Sequence, residues 1–243
     1  MHPADFSPLK PQRVMGIVAH PDDLDVIAGA SIAKYLQQGA EVEYLILTDG
    51  GKGSDDLEMT TETLIRTRQK EQRDALAAVG GKPENVHFLP YPDGELENTI
   101  GLKRDIVREI RRFKPDTVIT LDPTVIYSKS THRINHPDHR AAGQAVLDAV
   151  FPLARDRLTF PELAAEGFGP HKVKTVLLSD FDSATYYEDI TDTFIYKEAA
   201  IDAHPSQFTD PDRLKEMFRS MAAAVGERAG YELAEGFVRL DVR

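Results

Sequence analysis

Two short segments of this 243-residue chain repeat the order histidine, proline, aspartate. The first is His20-Pro21-Asp22-Asp23, and the second, in the other half of the chain, is His136-Pro137-Asp138-His139. Imidazole and carboxylate groups are ligands of zinc and related divalent cations, and a catalytic zinc takes three such ligands while one position stays open for water or substrate. The two segments together predict a metal site that activates water.

The absence of cysteine narrows the chemistry further. The chain has no Cys, which excludes disulfides, thiolate zinc sites, iron–sulfur clusters and thiol nucleophiles. Any metal must therefore be held by His, Asp and Glu. A His and an Asp three residues apart can bind one ion, and Pro21 stiffens the turn between them. The third ligand is then expected from the second segment.

The charge balance bears on partners. There are 29 Lys and Arg residues against 40 Asp and Glu residues, a formal net charge of -11. Such a chain repels a phosphate backbone and an anionic membrane unless a basic patch intervenes, and no Lys/Arg run is visible. We therefore expect no nucleic-acid partner and no membrane partner. No readable signal peptide or membrane-spanning segment appears in the sequence, so the expected location is cytoplasmic.

Continuous apolar runs and helical spacing predict the elements that position these segments. Buried strands are predicted at 14–19, 42–47, 86–89 and 117–121. Helical patterns follow the first three strands, from Ile27 to Gly39, from about Thr61 to Val79 and from Leu102 to Phe113. This alternation predicts an α/β fold: a Rossmann-like, open, mostly parallel sheet with helices on both faces. Ligands of such sheets bind beyond the carboxyl ends of the strands, where the loops begin at His20, Asp49, Tyr91 and Asp122.

The second half of the chain is less regular. Strands are predicted at 173–178 and 186–194, and helices at 195–203 and 211–229. No linker-like composition separates this part from the first half. We therefore expect one domain over residues 1–243, with residues 1–12 as an N-terminal extension.

These motifs together resemble the PIG-L/LmbE-like family of zinc-dependent de-N-acetylases. The resemblance rests first on AHPDD after the first strand and on HPDH later in the chain. Other matching landmarks are Thr48-Asp49-Gly50-Gly51, Arg68 and Glu71 in RxxE, Pro92-Asp93-Gly94, and the K-x-x-A-x-x-x-H-x-S-Q pattern formed by Lys197, Ala200, His204, Ser206 and Gln207. One departure is Leu24, where many members have Glu; an acid stands instead at Asp25.

The resemblance implies a set of site residues. The expected metal ligands are His20, Asp23 and His139, holding Zn²⁺, although Fe²⁺, Co²⁺ or Mn²⁺ also suit a His₂Asp site. The expected catalytic residues are Asp22 as general base, a protonated His136 that stabilises the oxyanion, and Asp138, which orients a neighbouring imidazole. The expected substrate-binding residues are Arg68, Asp93 and His204.

The function implied is hydrolysis of the N-acetyl group of an N-acetylglucosamine-type sugar or conjugate, a small-molecule substrate. Two alternatives stay open at this point. One is a zinc amidase for another small amide such as a thiol conjugate, and the other is a non-catalytic nucleotide-binding module on the same type of sheet. The missing glycine fingerprints count against the second. A homo-oligomer is compatible with the sequence.

Each motif also has a purely structural interpretation. Residues 20–25 have ordinary turn composition, and Asp138 is suited to charge the first turn of a helix starting near Pro137. Arg68 and Glu71 have the spacing of a surface ion pair. His204 is suited to interact with a helix C-terminus, and residues 49–54 form either an active-site loop or, less in keeping with the pattern, a phosphate-binding loop.

Overall fold

A computed structural model describes residues 7–128, 132–180 and 182–242. Within these ranges the strands are β1 (Arg13–Val18), β2 (Glu41–Thr48), β3 (Val86–Tyr91), β4 (Thr117–Leu121), β5 (Thr175–Ser179), β6 (Tyr186–Asp189) and β7 (Ala234–Asp241). The helices are α1 (Asp23–Gln37), α2 (Thr61–Ala78), α3 (Ile100–Phe113), α4 (Pro137–Asp148), α5 (Pro161–Ala165), α6 (Phe194–Asp202) and α7 (Pro211–Glu227).

The strands form one seven-stranded sheet in the order β3-β2-β1-β4-β5-β7-β6. The first five strands are parallel to one another, and β7 pairs antiparallel with both β5 and β6. Helices lie on both faces of this open sheet. The predicted Rossmann-like α/β fold is confirmed.

The burial of the central strands explains why each of them is a continuous apolar run in the sequence. Every residue of β4, and all but the first of β1 and β2, is buried, as expected for parallel strands covered on both faces. A Cβ on Gly16 would lie 2.5 Å from Cδ1 of Leu24. Glycine therefore lets α1 pack closely on β1, and Leu24, at the position of the departure from the family, is a fully buried core residue.

The C-terminal elements α6 and β7 hold α1 in place through buried polar contacts. The Lys197 side chain of α6 is buried, and its Nζ donates to the carbonyl of Val26 at 2.6 Å and to Glu235 Oε1 at 2.6 Å. Glu235, on β7, accepts through Oε2 from the backbone N–H of Ser31 at 2.8 Å. This buried ion pair ties the helix that carries the first motif to the antiparallel edge of the sheet.

One expectation for the second half needs correction, and one strand there was missed. The strand predicted at 186–194 ends at Asp189, because Asp189 Oδ1 accepts from both the backbone N–H and the hydroxyl of Thr191 and begins a turn. β-branched residues gave this turn the appearance of a strand. Strand β7 was not predicted.

Of the expected N-terminal extension, residues 1–6 lie outside the described residues, whereas Leu9 donates its N–H to the Tyr186 hydroxyl at 3.0 Å.

None of the helices in the described part of the chain has both the length and the apolar character that crossing a bilayer requires.

Candidate metal centre and active site

The functional side chains gather at the carboxyl edge of the parallel strands, as expected for this type of sheet. His20 lies two residues beyond β1, and Asp93 lies two residues beyond β3. His136 is the residue before α4, and His139 lies in the first turn of that helix. Loops from distant parts of the sequence therefore form one site.

His20, Asp23 and His139 converge on one point. Each offers a ligand atom, and these atoms all lie within 4.8 Å of one another. His139 Nε2 is 3.1 Å from Asp23 Oδ1, and His20 Nδ1 is 3.6 Å from Asp23 Oδ2. The centroids of the two imidazole rings are 5.3 Å apart. The structure thus brings together the three residues that the sequence predicted as metal ligands.

The remaining ring nitrogens of these histidines are held by acceptors. His139 Nδ1 lies 3.0 Å from Asn135 Oδ1 and donates to that amide oxygen, so Nε2 is the nitrogen that faces Asp23 and, without a metal, donates to its carboxylate. Metal-bound histidines ordinarily donate their other N–H in this way, which fixes the ring and the tautomer. His139 is therefore already oriented for a cation.

His20 is held in the same manner by two carboxylates. Its Nε2 lies 3.1 Å from Asp138 Oδ2 and 3.2 Å from Asp93 Oδ1, which leaves Nδ1 on the side of Asp23. Burial lowers the pKa of His20, but the hydrogen bonds to Asp138 and Asp93 outweigh burial and raise it to about 10. When a metal replaces the protons on the two nitrogens that face Asp23, these imidazoles and the carboxylate form a donor set that fits a divalent cation.

Asp23 keeps its negative charge in this site. Burial raises the pKa of its carboxyl, but the charge of His139 and the hydrogen bond to it more than compensate, so the pKa lies below its usual value. Asp23 Oδ2 also accepts the backbone N–H of His20 at 2.8 Å. The carboxylate is thereby fixed as well as ionised, and it can neutralise part of the charge of a bound metal ion.

Asp22, directly before α1, adopts an unusual backbone conformation. Its φ is 102° and its ψ is -31°, which for a residue with a side chain costs about 1–3 kcal/mol and is often found at functional sites. Its backbone N–H donates to Gln72 Oε1 at 2.8 Å, and its Oδ2 lies 3.2 Å from Arg68 Nη2. Burial outweighs the Arg68 charge and raises the pKa of Asp22 to about 6. A carboxylate with this pKa is suited to exchange protons near neutral pH.

Arg68 connects three loops. Its Nη1 donates to the carbonyl of Gly50 at 3.0 Å, its Nη2 donates to the carbonyl of Pro21 at 2.7 Å, and its Nη1 lies 3.6 Å from Asp93 Oδ2. A Cβ on Gly50, which has a φ of +68°, would lie 2.9 Å from Pro21 Cδ. Glycine is thus needed for the loop after β2 to approach the loop after β1.

The surface ion pair considered for Arg68 and Glu71 is wrong. Both residues are buried, and no ion pair joins them among the described residues. Glu71 instead accepts from the backbone N–H of Ser206 at 3.0 Å and from its hydroxyl at 2.6 Å. The RxxE motif therefore links the loops of the site to the segment that follows α6.

Asp138 is a buried anchor. Its Oδ2 accepts the N–H of Gly94 at 2.7 Å and its Oδ1 accepts the N–H of Leu96 at 3.2 Å, in addition to the bond with His20. Burial raises its pKa, but the hydrogen bond from His20 and those backbone N–H groups lower it below its usual value. Asp138 thus orients an imidazole, as predicted, and that imidazole is His20, because the nearest His136 nitrogen is 4.0 Å away.

His136 faces the site from the start of α4. Its Nδ1 accepts the backbone N–H of Asp138 at 3.2 Å and caps the helix, so the neutral ring carries its proton on Nε2. Burial, followed by the charge of His20, lowers its pKa. These contacts favour a neutral ring over the predicted protonated form, and the neutral ring still presents an N–H donor. Its ring centroid lies 4.7 Å from that of His20.

Comparison with known proteins shows the family to which the chain belongs. A sequence model of the PIG-L family, described as GlcNAc-PI de-N-acetylase, matches residues 15–150. The chain belongs to the PIG-L family. The diacetylchitobiose deacetylase of Thermococcus kodakarensis is 32% identical over 229 residues, which span 93% of this chain and 82% of that protein.

Two further similarities cover most of this PIG-L family chain. The probable N-acetyl-α-D-glucosaminyl L-malate deacetylase 2 of Bacillus cereus is 29% identical over 81% of this chain and 84% of that protein. The structure of N,N′-diacetylchitobiose deacetylase from Pyrococcus horikoshii, in complex with its inhibitor MPG, superimposes with a TM-score of 0.86. That similarity has 29% identity and covers 95% of this chain and 84% of that one.

His204 does not lie where the sequence analysis predicted it. We expected it at the substrate rim, but it is fully buried, and its Nε2 lies 2.9 Å from Asp25 Oδ2. The same carboxylate oxygen accepts from Gln72 Nε2 at 2.7 Å. Because Gln72 also binds the N–H of Asp22, His204 belongs to a buried network behind the predicted base.

Gln72 and Asn135 were missed by sequence reasoning. Gln72 lies four residues after Arg68 on α2, so helical spacing places both on the same face. Asn135 directly precedes the HPDH motif. The neighbouring motifs could have drawn attention to both positions. The sequence could not show which residue each of these side chains contacts.

A polar cleft of about 370 Å³ opens on the metal centre. Its walls include the three predicted ligands, Asp22 and His136, together with Lys52, Arg68 and Asp93. Asp93 is held at its base: it is buried, and its Oδ2 accepts the N–H of Lys52 at 3.1 Å. Burial raises the pKa of Asp93, but its bond to His20 outweighs this and lowers it to about 2. The cleft therefore presents charged groups with fixed positions.

Proposed function

We propose that this protein is a metal-dependent hydrolase that removes the N-acetyl group from an N-acetylglucosamine unit. The observation that carries the proposal is the convergence of His20, Asp23 and His139 at the carboxyl edge of the sheet, with Asp22 beside them. Family membership supports the reaction class. The names of the related deacetylases, which specify diacetylchitobiose and N-acetylglucosaminyl malate, support the substrate class.

We assign the metal to Nδ1 of His20, the Asp23 carboxylate and Nε2 of His139. Zn²⁺ suits this set, because catalytic zinc sites combine three His and carboxylate ligands with an open position; Fe²⁺, Co²⁺ and Mn²⁺ accept similar ligands. When bound, the cation supplies Lewis acidity to the amide carbonyl and to water. The bonds of His20 and His139 to their acceptors fix both rings before the cation binds.

Asp22 serves as the general base. It removes a proton from the attacking water and later delivers that proton to the departing amine, which leaves as the glucosamine product together with acetate. The arrangement suits this role, because Asp22 is not needed to complete the ligand set and Arg68 holds its Oδ2 at 3.2 Å. The Gln72 bond to its backbone N–H maintains the strained conformation.

His136 stabilises the negative charge that develops on the carbonyl oxygen. Its Nδ1 is occupied by the helix cap, and the neutral ring therefore presents Nε2–H to the cleft. A donor fixed in this way stabilises charge in the transition state without reorganisation. Asp138 supports the reaction indirectly, since it holds His20.

The sugar occupies the polar cleft in this proposal. Hydroxyl groups require donors and acceptors with fixed positions, and the cleft offers Lys52, Arg68 and Asp93. Arg68 and Asp93 therefore remain our candidates for substrate contact, although both are also bound to neighbouring loops. The findings favour neither the thiol-conjugate amidase nor the nucleotide-binding module.

The test is a mass-spectrometric assay for acetate and free amine released from N-acetylglucosamine and N,N′-diacetylchitobiose. The purified protein is assayed as isolated, after dialysis against a chelator, and after addition of Zn²⁺, with bound metal measured by elemental analysis. We expect one metal ion per chain, loss of turnover on chelation and recovery on addition of metal. Turnover that persists in a metal-free sample, or absence of turnover with both substrates at full metal content, would overturn the proposal.

A further inference from the structure

A second cavity, of about 270 Å³, adjoins the metal centre. It shares Asp23 and His139 with the polar cleft, so the two spaces meet at the predicted ligands. Among the described residues, Asp22 and His136 line the polar cleft but not this second cavity. The proposed catalytic groups therefore act from one side, while the second cavity extends from the ligands in another direction.

The lining of the second cavity is of a different chemical type. Its apolar surface comes from α1, the end of β4 and the loop between β4 and α4; we call it the apolar lobe, formed by Val26, Ile27, Leu121, Val125 and Ile134. The corresponding wall of the polar cleft carries Lys52, Arg68 and Asp93. Among the described residues, the polar cleft thus has no aliphatic side chain in its lining, whereas the second cavity combines an aliphatic wall with polar and charged residues.

The two halves of an N-acylated amino sugar also differ in polarity. The amine half carries hydroxyl groups and matches the polar cleft, whereas the acyl half is a hydrocarbon chain that gains free energy when it leaves water. The carbonyl carbon must lie at the metal centre, within reach of Asp22 and His136. An amide held in this way directs its acyl chain away from the polar cleft and into the apolar lobe.

The second cavity, which the apolar lobe lines on one side, is larger than an acetyl group requires. A water molecule takes up about 30 Å³ in the liquid, and the single methyl group of acetyl is of comparable size, so it leaves most of the 270 Å³ free. We infer that the enzyme also hydrolyses glucosamine amides with straight acyl chains longer than acetyl, from propionyl to hexanoyl. This inference rests on the proposed function and extends its range of substrates.

The charged residues in the lining of the second cavity add a prediction about the charge of the acyl group. Asp122, Asp180 and Asp182 line the cavity, against one basic residue, Arg133. This excess of negative charge in the lining disfavours an acyl chain that ends in a carboxylate, because like charges repel each other in a partly desolvated space. The four-carbon butyryl and succinyl groups therefore form a matched pair, and only the butyryl amide is expected to react well.

The first experiment measures kcat/KM of the zinc-loaded protein with N-acetyl-, N-propionyl-, N-butyryl-, N-hexanoyl- and N-succinyl-glucosamine, detecting the common product glucosamine. Burial of a methylene is worth about 0.8 kcal/mol, which corresponds to about a fourfold gain per added carbon as an upper limit. We expect propionyl and butyryl to react at least as well as acetyl, and succinyl to react at least tenfold more slowly than butyryl.

A tenfold or larger fall from acetyl to propionyl overturns the inference and leaves the proposed function intact. Failure with every amide, including acetyl, contradicts the proposed function itself. The two failures are therefore distinguishable in the same set of assays.

The second experiment narrows the lobe with Val125→Phe and, independently, with Val26→Phe, so that one variant suffices if the other does not fold. Each is expected to lower the ratio of hexanoyl to acetyl kcat/KM at least tenfold. The matched control is Leu158→Phe, an exposed residue outside both cavities, which is expected to keep the wild-type ratio. If the substitutions leave this ratio unchanged and instead alter the preference for N,N′-diacetylchitobiose over N-acetylglucosamine, the lobe holds a second sugar and the inference is wrong.

Discussion

The third residues of the two His-Pro-Asp segments, Asp22 and Asp138, have opposite properties. Asp22 receives a side-chain bond from Arg68, and burial raises its pKa to about 6. Asp138 receives two backbone N–H groups as well as His20, and its pKa is lowered. Hydrogen bonds to the charged form stabilise a carboxylate, whereas burial without them favours the protonated acid.

The backbone explains why the same three letters lead to different surroundings. In the first segment the chain enters α1 through a strained Asp22 with φ of 102°, which places its side chain on the cleft. In the second segment Pro137 begins α4 with His136 as its cap, and Asp138 turns inward. A repeated motif therefore predicts residue types at a site, but the local path of the chain decides which carboxylate exchanges protons and which one anchors.

The largest expected effect is that of Asp22→Asn. The amide keeps the shape of the side chain and cannot accept a proton, so turnover should fall by about 10²–10⁴-fold, the usual contribution of a general base. Bound metal should stay at one ion per chain, because Asp22 is outside the proposed ligand set. The check is kcat for N-acetylglucosamine together with elemental analysis. Loss of metal in this variant would show that Asp22 is a ligand and that the assignments of Asp22 and Asp23 are reversed.

His136→Asn separates the two roles of this histidine. The Asn oxygen can accept the N–H that Nδ1 accepts now, so α4 keeps its cap, but the Nε2–H donor is lost. We expect kcat to fall by about 10²–10³-fold, as is typical for removal of an oxyanion donor, with little change in Tm. His136→Ala, which loses both functions, should show the same fall in kcat and a lower Tm. Near-normal turnover in the Asn variant would exclude the proposed stabilising role.

Asp138→Asn tests the anchoring side of the comparison. Partners that orient a metal-bound histidine typically contribute about 10–100-fold to metal affinity or activity, so zinc affinity should fall by that amount. Competition with a chromophoric chelator measures it. Asp22→Asn is the matched control, since it changes an Asp to Asn at the same motif position and should leave affinity unchanged. Equal affinities of the two variants would contradict the division of roles.

Sequence sufficed to predict which residues converge at the candidate metal site, because their chemistry is local. His20, Asp23 and His139 are recognisable from type, spacing and family resemblance, and the strand ends that gather them follow from the apolar runs before each loop. The parallel part of the fold was readable for the same reason. Whether these three residues bind metal in solution stays a prediction, which the chelation experiment tests.

The sequence did not predict the contacts of residues whose partners are distant along the chain. His204 carries a family motif, yet its position behind the site depends on how α6 packs on α1. Similarly, Asp138 was expected to orient an imidazole, but only the structure shows that it is His20 in the loop after β1. Strand β7 went unpredicted for the related reason that its place between β5 and β6 is a tertiary property.

The smallest expected effect concerns Gln72, which connects the strained Asp22 to the buried Asp25 and His204. In Gln72→Leu the N–H of Asp22 and one oxygen of Asp25 lose a buried partner, which should lower the free energy of unfolding by about 1–3 kcal/mol. Because the Gln72 bond holds the proposed base rather than the substrate, kcat should fall by roughly tenfold while KM stays near its wild-type value. Urea unfolding and steady-state kinetics measure the two effects. The control is Gln69→Leu, on the same helix but half-buried and outside the cleft. If Gln72→Leu loses stability without any change in kcat, the conformation of Asp22 is held by its own loop and not by Gln72.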